Sequence, residues 1–150
     1  MKILLPIDGS KYSEAAVREV AARTFPPDSE VRLVYALEMY PRNLHGAGVL
    51  PPERYEDLEN LDRARSRNFL DEATGVLRRA GFRDGQITTV VAVGSPKRII
   101  IDEAENWGAD LVVVGSHGDG AIKRFLLGSV SLAVAMHAPC SVMIVRSKEQ

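Results

Sequence analysis

Glycine and serine gather twice in the last third of the chain, first in Gly115-Ser116-His117-Gly118-Asp119-Gly120 and then in Gly128-Ser129-Val130-Ser131. Residues of this kind suit an anion. Glycine lets backbone amides come close to a ligand, and the first turn of a helix aims N–H groups that have no partner within the helix. Ser129 and Ser131 would add hydroxyl donors, and the whole run would suit a polyphosphate. A plainer reading makes Gly115 and Gly118 a strand exit and Ser129 a helix cap, because serine caps and glycine turns are common. Spacing alone does not separate the two.

Two other phosphate-binding patterns are missing from the chain. There is no Gly-x-x-x-x-Gly-Lys-Ser/Thr run, and no Gly-x-Gly-x-x-Gly follows the first apolar segment. This disfavours a P-loop NTPase and an NAD enzyme. Lys123 and Arg124 lie between the two glycine clusters, where they would either reach phosphate oxygens or solvate a loop. His117 sits inside the first cluster, far in sequence from His45 and His137 and without metal-ligand spacing, so it reads as a loop histidine beside the phosphates rather than a general base. Asp8 closes the first apolar run and suits a turn or cap for the helix that follows. Cys140 reads as a small apolar residue with nothing nearby to activate it. Trp107 ends an apolar helix face and His137 a helix, where a positive charge would suit the dipole.

The elements that must hold these residues alternate along the chain. Five short apolar runs rich in β-branched residues read as strands, at Ile3–Ile7, Val31–Leu37, Ile87–Val93, Leu111–Val114 and Val142–Val145. The fourth and fifth are apolar throughout, as expected of strands covered by helices on both faces of a parallel sheet. Helices are expected over Ser13–Thr24, Arg54–Ala80, Pro96–Trp107 and Ser129–His137, with Gly81 stopping the second and Ser95-Pro96 starting the third. Strand and helix in strict alternation predict a doubly wound α/β sheet with right-handed crossovers. In such sheets ligands bind at the carboxyl ends of the strands, where the winding reverses. The stretch Met39–Glu53 has three prolines, two glycines and no periodicity, and is expected to be a long loop.

At 150 residues the chain has the length of one domain, read here as 1–150. Its 19 basic and 20 acidic residues nearly cancel, which argues against a broad nucleic-acid or anionic-membrane surface. One cysteine rules out an internal disulfide, and no apolar run reaches membrane-spanning length, so a cytoplasmic location is expected.

Gly115-x2-Gly118-x9-Gly128-Ser129 resembles the ATP-binding signature of the universal stress protein family. The likeness extends through Ile3-Leu4-Leu5-Pro6-Ile7-Asp8-Gly9-Ser10, Gly94-Ser95-Pro96, Ala109–Val114 and Ala138-Pro139-Cys140, nearly the whole chain. Ser141 stands where the family usually has proline, which bears on the start of the fifth strand. The resemblance implies a strand order of 3-2-1-4-5 and a cofactor, ATP or else ADP or AMP, with Mg2+ or Mn2+ held through its phosphates. It further implies that Asp8 contacts the adenosine, that Ala36 lies by the adenine, and that Gly115, Gly118, Gly128, Ser129, Val130 and Ser131 hold ribose and phosphates. Pro6, Val114 and His117 complete the expected binding set. Under that order Val142–Val145 is an apolar edge, for which pairing in a homodimer is the expected remedy, the alternative being a monomer whose tail Arg146–Gln150 shields it. The function implied is a nucleotide-dependent regulatory protein of the stress response. Two alternatives are a slow ATP phosphohydrolase using Asp119, Lys123 and Arg124, and a nucleotide-independent dimeric scaffold working through Met39–Glu53.

Overall fold

The apolar runs become strands whose buried side chains fill two cores, one on each side of the sheet. The computed structural model describes residues 1–38, 52–118 and 127–147. The expected loop Met39–Glu53 lies almost wholly outside them, as do His45, Asp119, Lys123 and Arg124. The strands are β1 (Lys2–Pro6), β2 (Glu30–Leu37), β3 (Ile87–Val93), β4 (Leu111–Gly115) and β5 (Ser141–Val145). They form one parallel sheet in the order β3-β2-β1-β4-β5. Both the order and the α/β class are those expected. β5 opens at Ser141, paired with Leu111, so the residue standing in place of the family's proline is already part of the ladder.

The helices are α1 (Lys11–Ala22), α2 (Pro52–Arg79), α3 (Pro96–Trp107) and α4 (Ser129–His137). α1 begins two residues before the expected Ser13, because Ser10 is the cap: its Oγ accepts from the Ser13 amide at 3.2 Å. Ser13, expected to start the helix, is instead buried in its first turn. α2 ends as expected before Gly81, whose φ of 106° lets the chain close with bonds from Gly81 N to Arg78 O and from Phe82 N to Leu77 O. α3 starts at Pro96, after Ser95.

Alternate residues of each strand enter opposite layers. Ile3, Leu5, Val31, Leu33, Leu111 and Val113 face one core, shared with Ala16, Val17 and Val20 of α1 and Leu70, Ala73 and Leu77 of α2. Leu4, Val34 and Val112 face the other, shared with Ile100 and Ala104 of α3 and Val134 of α4. Every residue of β4 is buried, which accounts for its unbroken apolar sequence. Fully burying one such aliphatic side chain contributes about 1.5 to 3 kcal/mol.

A polar cluster closes the amino-terminal end of the sheet. The Arg32 guanidinium lies 4.4 Å from the centre of the Trp107 ring and Nη1 donates to Glu103 Oε1 at 2.6 Å. Lys2 Nζ sits 5.5 Å from the same ring and donates to the Trp107 carbonyl at 3.1 Å, while the Lys2 amide donates to Asp110 at 2.7 Å. Trp107 is therefore part of the second core and carries two cations on its ring. Trp107→Ala is expected to lower the unfolding free energy by about 3 kcal/mol, through lost burial together with the lost cation contacts. Urea denaturation measures this, and a loss below about 1 kcal/mol would show that the ring adds little.

Candidate functional site

The site lies where the ladders part. β1 pairs with β2 from Lys2↔Glu30 to Pro6↔Val34, yet meets β4 only at Ile3↔Leu111 and Leu4↔Val112. β4 carries on to Gly115 beside β5. Above Leu4 and Val112 the two central strands diverge, and this is the point where the winding direction reverses. On the other side β2 outruns β1: Ile7 N donates to Val34 O at 2.8 Å, and Tyr35, Ala36 and Leu37 continue past the last β1 partner. Ala36 thus flanks the crevice from β2, and Pro6 ends β1 at its floor.

Three loops converge over this opening. The first leaves β1 through Asp8-Gly9-Ser10 and enters α1. Asp8 is exposed, and its Oδ1 accepts from the Ser10 amide at 2.9 Å, so the carboxylate is held by its own turn. The second leaves β4 through Gly115-Ser116-His117-Gly118, and the third enters α4 at Gly128. The Gly128 amide donates to the Ser116 carbonyl at 2.7 Å, and Ser131 Oγ lies 2.9 Å from that same carbonyl and 2.9 Å from Gly128 O. Ser116 therefore joins the exit of β4 to the start of α4.

The reason for each motif glycine follows from what a side chain would meet. A Cβ on Gly115 would lie 2.6 Å from the backbone carbon and oxygen of Tyr12, so α1 packs directly on the end of β4. On Gly118 it would lie 2.9 Å from Asp8 Oδ2, which places the Asp8 carboxylate against this glycine. On Gly128 it would lie 3.1 Å from the His117 Cα and 3.3 Å from Ser116 O. None of the three has a positive φ. They are small because the protein's own loops meet there, not because the turns demand a special conformation.

The remaining expected residues fall as follows. Val114 is 5% exposed, inside β4. His117 is partly buried; its Nδ1 is 3.1 Å from Ser116 Oγ and its ring centre 5.1 Å from that of Tyr12. Gly128 caps α4, with Ser129, Val130 and Ser131 in its first turn, and makes no side-chain cap bond. The first bond inside α4 runs from Leu132 N to Gly128 O, which leaves the amides of Ser129, Val130 and Ser131 at the open end of the helix. Ser129 is exposed, whereas Val130 packs its side chain into the second core. The Ser131 hydroxyl was expected to face an anion; Ser131 is instead 2% exposed and its hydroxyl is spent on the two carbonyls.

Tyr12 and Ser116 were not foreseen as parts of this corner. Tyr12 supplies both the backbone under Gly115 and the ring beside His117, and Lys11 Nζ lies 5.4 Å from that ring's centre. Nothing in the local sequence marks Tyr12, since its role arises only when α1 crosses β4. Ser116 sits inside the glycine run, but its working group is a carbonyl, which no residue type reveals. Cys140 lies partly buried beside the second core, where burial first and the Asp110 charge second push its thiol up, opposed by a backbone hydrogen bond at Val112. That is an unreactive setting. Among the described residues no three His, Cys, Asp or Glu side chains group as metal ligands, and no helix is long and apolar enough to cross a membrane.

Comparison with known proteins agrees with this fold. The model of the universal stress protein family matches residues 1–146. The chain belongs to the universal stress protein family. A putative universal stress protein from Staphylococcus epidermidis is 31% identical over 148 residues, covering 98% of this chain and 84% of the relative. Among solved structures, hypothetical protein MJ0577 superposes with a TM-score of 0.84 at 28% identity, over 99% of this chain and 97% of that one. A universal stress protein in complex with cAMP superposes with a TM-score of 0.68 at 26% identity, over 97% and 96% of the two chains.

Family membership makes the motif glycines testable as packing residues. Gly115→Ala should cost about 3 kcal/mol of stability, because the added carbon meets backbone rather than a movable side chain. Ser131→Ala should cost only about 1 kcal/mol, since Gly128 N still satisfies the Ser116 carbonyl. Equal losses in denaturant titrations of the two variants would contradict this account.

Proposed function

We propose that this universal stress protein binds an adenine nucleotide in the crevice between β1 and β4 and acts as a nucleotide-dependent regulator in the response to stress. The observation that carries the reading is the meeting of Asp8, Gly118 and the uncapped start of α4 over the diverging strands. The first-turn amides of Ser129, Val130 and Ser131 offer donors and the positive end of a helix dipole to phosphate oxygens. Opposite them the Asp8 carboxylate offers an acceptor, which suits ribose hydroxyls. Ala36, small and at the lip of β2, leaves room for a flat base beside the strand. A related universal stress protein holds cAMP, an adenine nucleotide.

ATP is the ligand favoured, with ADP and AMP as shorter alternatives, and a Mg2+ or Mn2+ ion would ride on the phosphates. The residues present fit such a ligand: the donors are backbone amides, indifferent to side-chain identity, and His117 stands beside them as a further donor to a phosphate. The binding set is Pro6, Asp8, Ala36, Val114, Gly115, His117, Gly118, Gly128, Ser129, Val130 and Ser131. Within it Val114 and Gly115 form the wall, and the Ser131 side chain braces the loop while its amide faces the opening.

Isothermal titration of the purified chain with ATP and magnesium is expected to show one site per chain. Gly128→Val should weaken binding at least about tenfold, because its side chain must displace the His117 backbone or the start of α4. Gly118→Val should do the same by pushing the Asp8 carboxylate aside. A folded wild-type sample that releases no heat and shows no ligand-induced rise in melting temperature would end the proposal.

The same reading includes a homodimer through β5. This strand pairs only with β4 and carries Val142, Met143 and Ile144 partly exposed along its edge. The Val145 carbonyl accepts from Ser116 N, so Val145 and Met143 turn their backbone groups toward β4, and Val142 and Ile144 turn theirs outward. An apolar edge with outward amides is a template for a second copy of itself. Ile144→Pro removes one outward amide and leaves the β4 ladder complete. Sedimentation should find the wild type at twice the chain mass and the variant shifted toward one chain; a wild type that sediments as a monomer would dismiss this part.

A further inference from the structure

We propose that Phe69, on α2, is a positioning residue that sets the direction of the Asp8 carboxylate; this rests on the adenine-nucleotide reading of the crevice. Asp8 is exposed and the carboxylate's shown anchor within its own turn is the amide of Ser10, two residues on. Between them stands Gly9, with a φ of 76°. A glycine at this place gives the turn its left-handed step, and it also removes the side chain that would otherwise restrict rotation of the Asp8–Gly9 peptide. The restriction comes from elsewhere. A Cβ built on Gly9 would overlap Cδ2, Cε2 and Cζ of the Phe69 ring, so the ring occupies the space a side chain would have filled.

The ring is itself held from behind. It stacks on Tyr35 of β2, centre to centre 6.4 Å with planes 18° apart, and packs against the first core. Tyr35 belongs to the part of β2 that outruns β1, the same part that carries Ala36 to the lip of the crevice. One aromatic pair thus spans the back of the site and braces the Asp8 turn. On its other side the Asp8 carboxylate lies against Gly118, where a methyl group would meet Oδ2 at 2.9 Å. The carboxylate thus has the glycine run in front of it, and the Gly9 step of its turn has an α2 aromatic behind. Nothing in the glycine signature points to α2.

The contact acts through Asp8, and so its loss should matter only while Asp8 is able to accept a ribose hydrogen bond. Titrations of the full chain with ATP would use Phe69→Ala, Phe69→Leu, Asp8→Asn and the double variant Phe69→Ala with Asp8→Asn, each checked by a thermal melt. Phe69→Ala is expected to weaken binding about tenfold and Phe69→Leu, which refills the space over Gly9, less than about threefold. Asp8→Asn should cost about tenfold in the native background and less than about threefold once Phe69 is gone. If Phe69→Ala fails to fold, Phe69→Val, which leaves the space over Gly9 partly empty, and its own double with Asp8→Asn make the same comparison. Losses that simply multiply, or a Phe69→Ala chain that binds as the wild type does, would overturn the proposal alone. An unmutated chain that does not bind ATP would remove the nucleotide reading, and this proposal with it.

Discussion

The carbonyl of Ser116 holds the functional corner together. It accepts from the Gly128 amide at 2.7 Å and lies 2.9 Å from the buried Ser131 hydroxyl, so it ties the exit of one central strand to the start of the last helix. A buried carbonyl must find donors, and here both come from the far side of a loop. Once that clasp is closed, His117 lies against Gly128, Gly118 lies against Asp8, and α4 starts beside the exit of β4. The position of α4 is thus fixed at its amino end by hydrogen bonds and along its length by Val130 and Val134 in the second core.

The two ends of the sheet divide the labour. At the amino-terminal end Lys2, Arg32, Glu103, Trp107 and Asp110 form a closed network of cation–ring contacts and charged hydrogen bonds. At the carboxyl end the strands part and backbone groups are left facing outward. Between them lies a sheet in which β4, beside the middle strand, is buried throughout. Binding groups on loops gain precision from a scaffold of this kind, since the strand ends that carry them cannot shift without disturbing both cores.

Much of this was legible in the sequence, and the reasons are local. Burial on both faces leaves its mark in the unbroken apolar run of β4, and β5 is apolar although it lies at the edge, so both could be placed to within a residue, and the strand order followed from the family resemblance. Glycine after α2 and proline at the start of α3 are chemical signals tied to one backbone geometry. The start of α1 was misplaced because Ser10 and Ser13 both look like caps. Only the bond between them shows which one caps and which is buried. Tyr12 could not be read at all, because its contact with Gly115 depends on how closely α1 crosses β4, a distance between elements that no residue type encodes.

The glycines themselves carry the last step. A glycine is a place where a ligand can approach the backbone, yet each of the three is crowded by the protein: Gly115 by the Tyr12 backbone, Gly118 by Asp8 and Gly128 by the loop at His117. A spacing of this kind therefore records three close approaches between loops. Those approaches bring a carboxylate, an imidazole and a helix start together at the carboxyl end of the sheet, which is why the proposed site lies there. The same crowding explains why a side chain at any of the three would disturb packing and the proposed site together. Tyr12 behind Gly115 and Phe69 against Gly9 extend that crowding to α1 and α2, so the packing of the corner draws on residues outside the glycine motif.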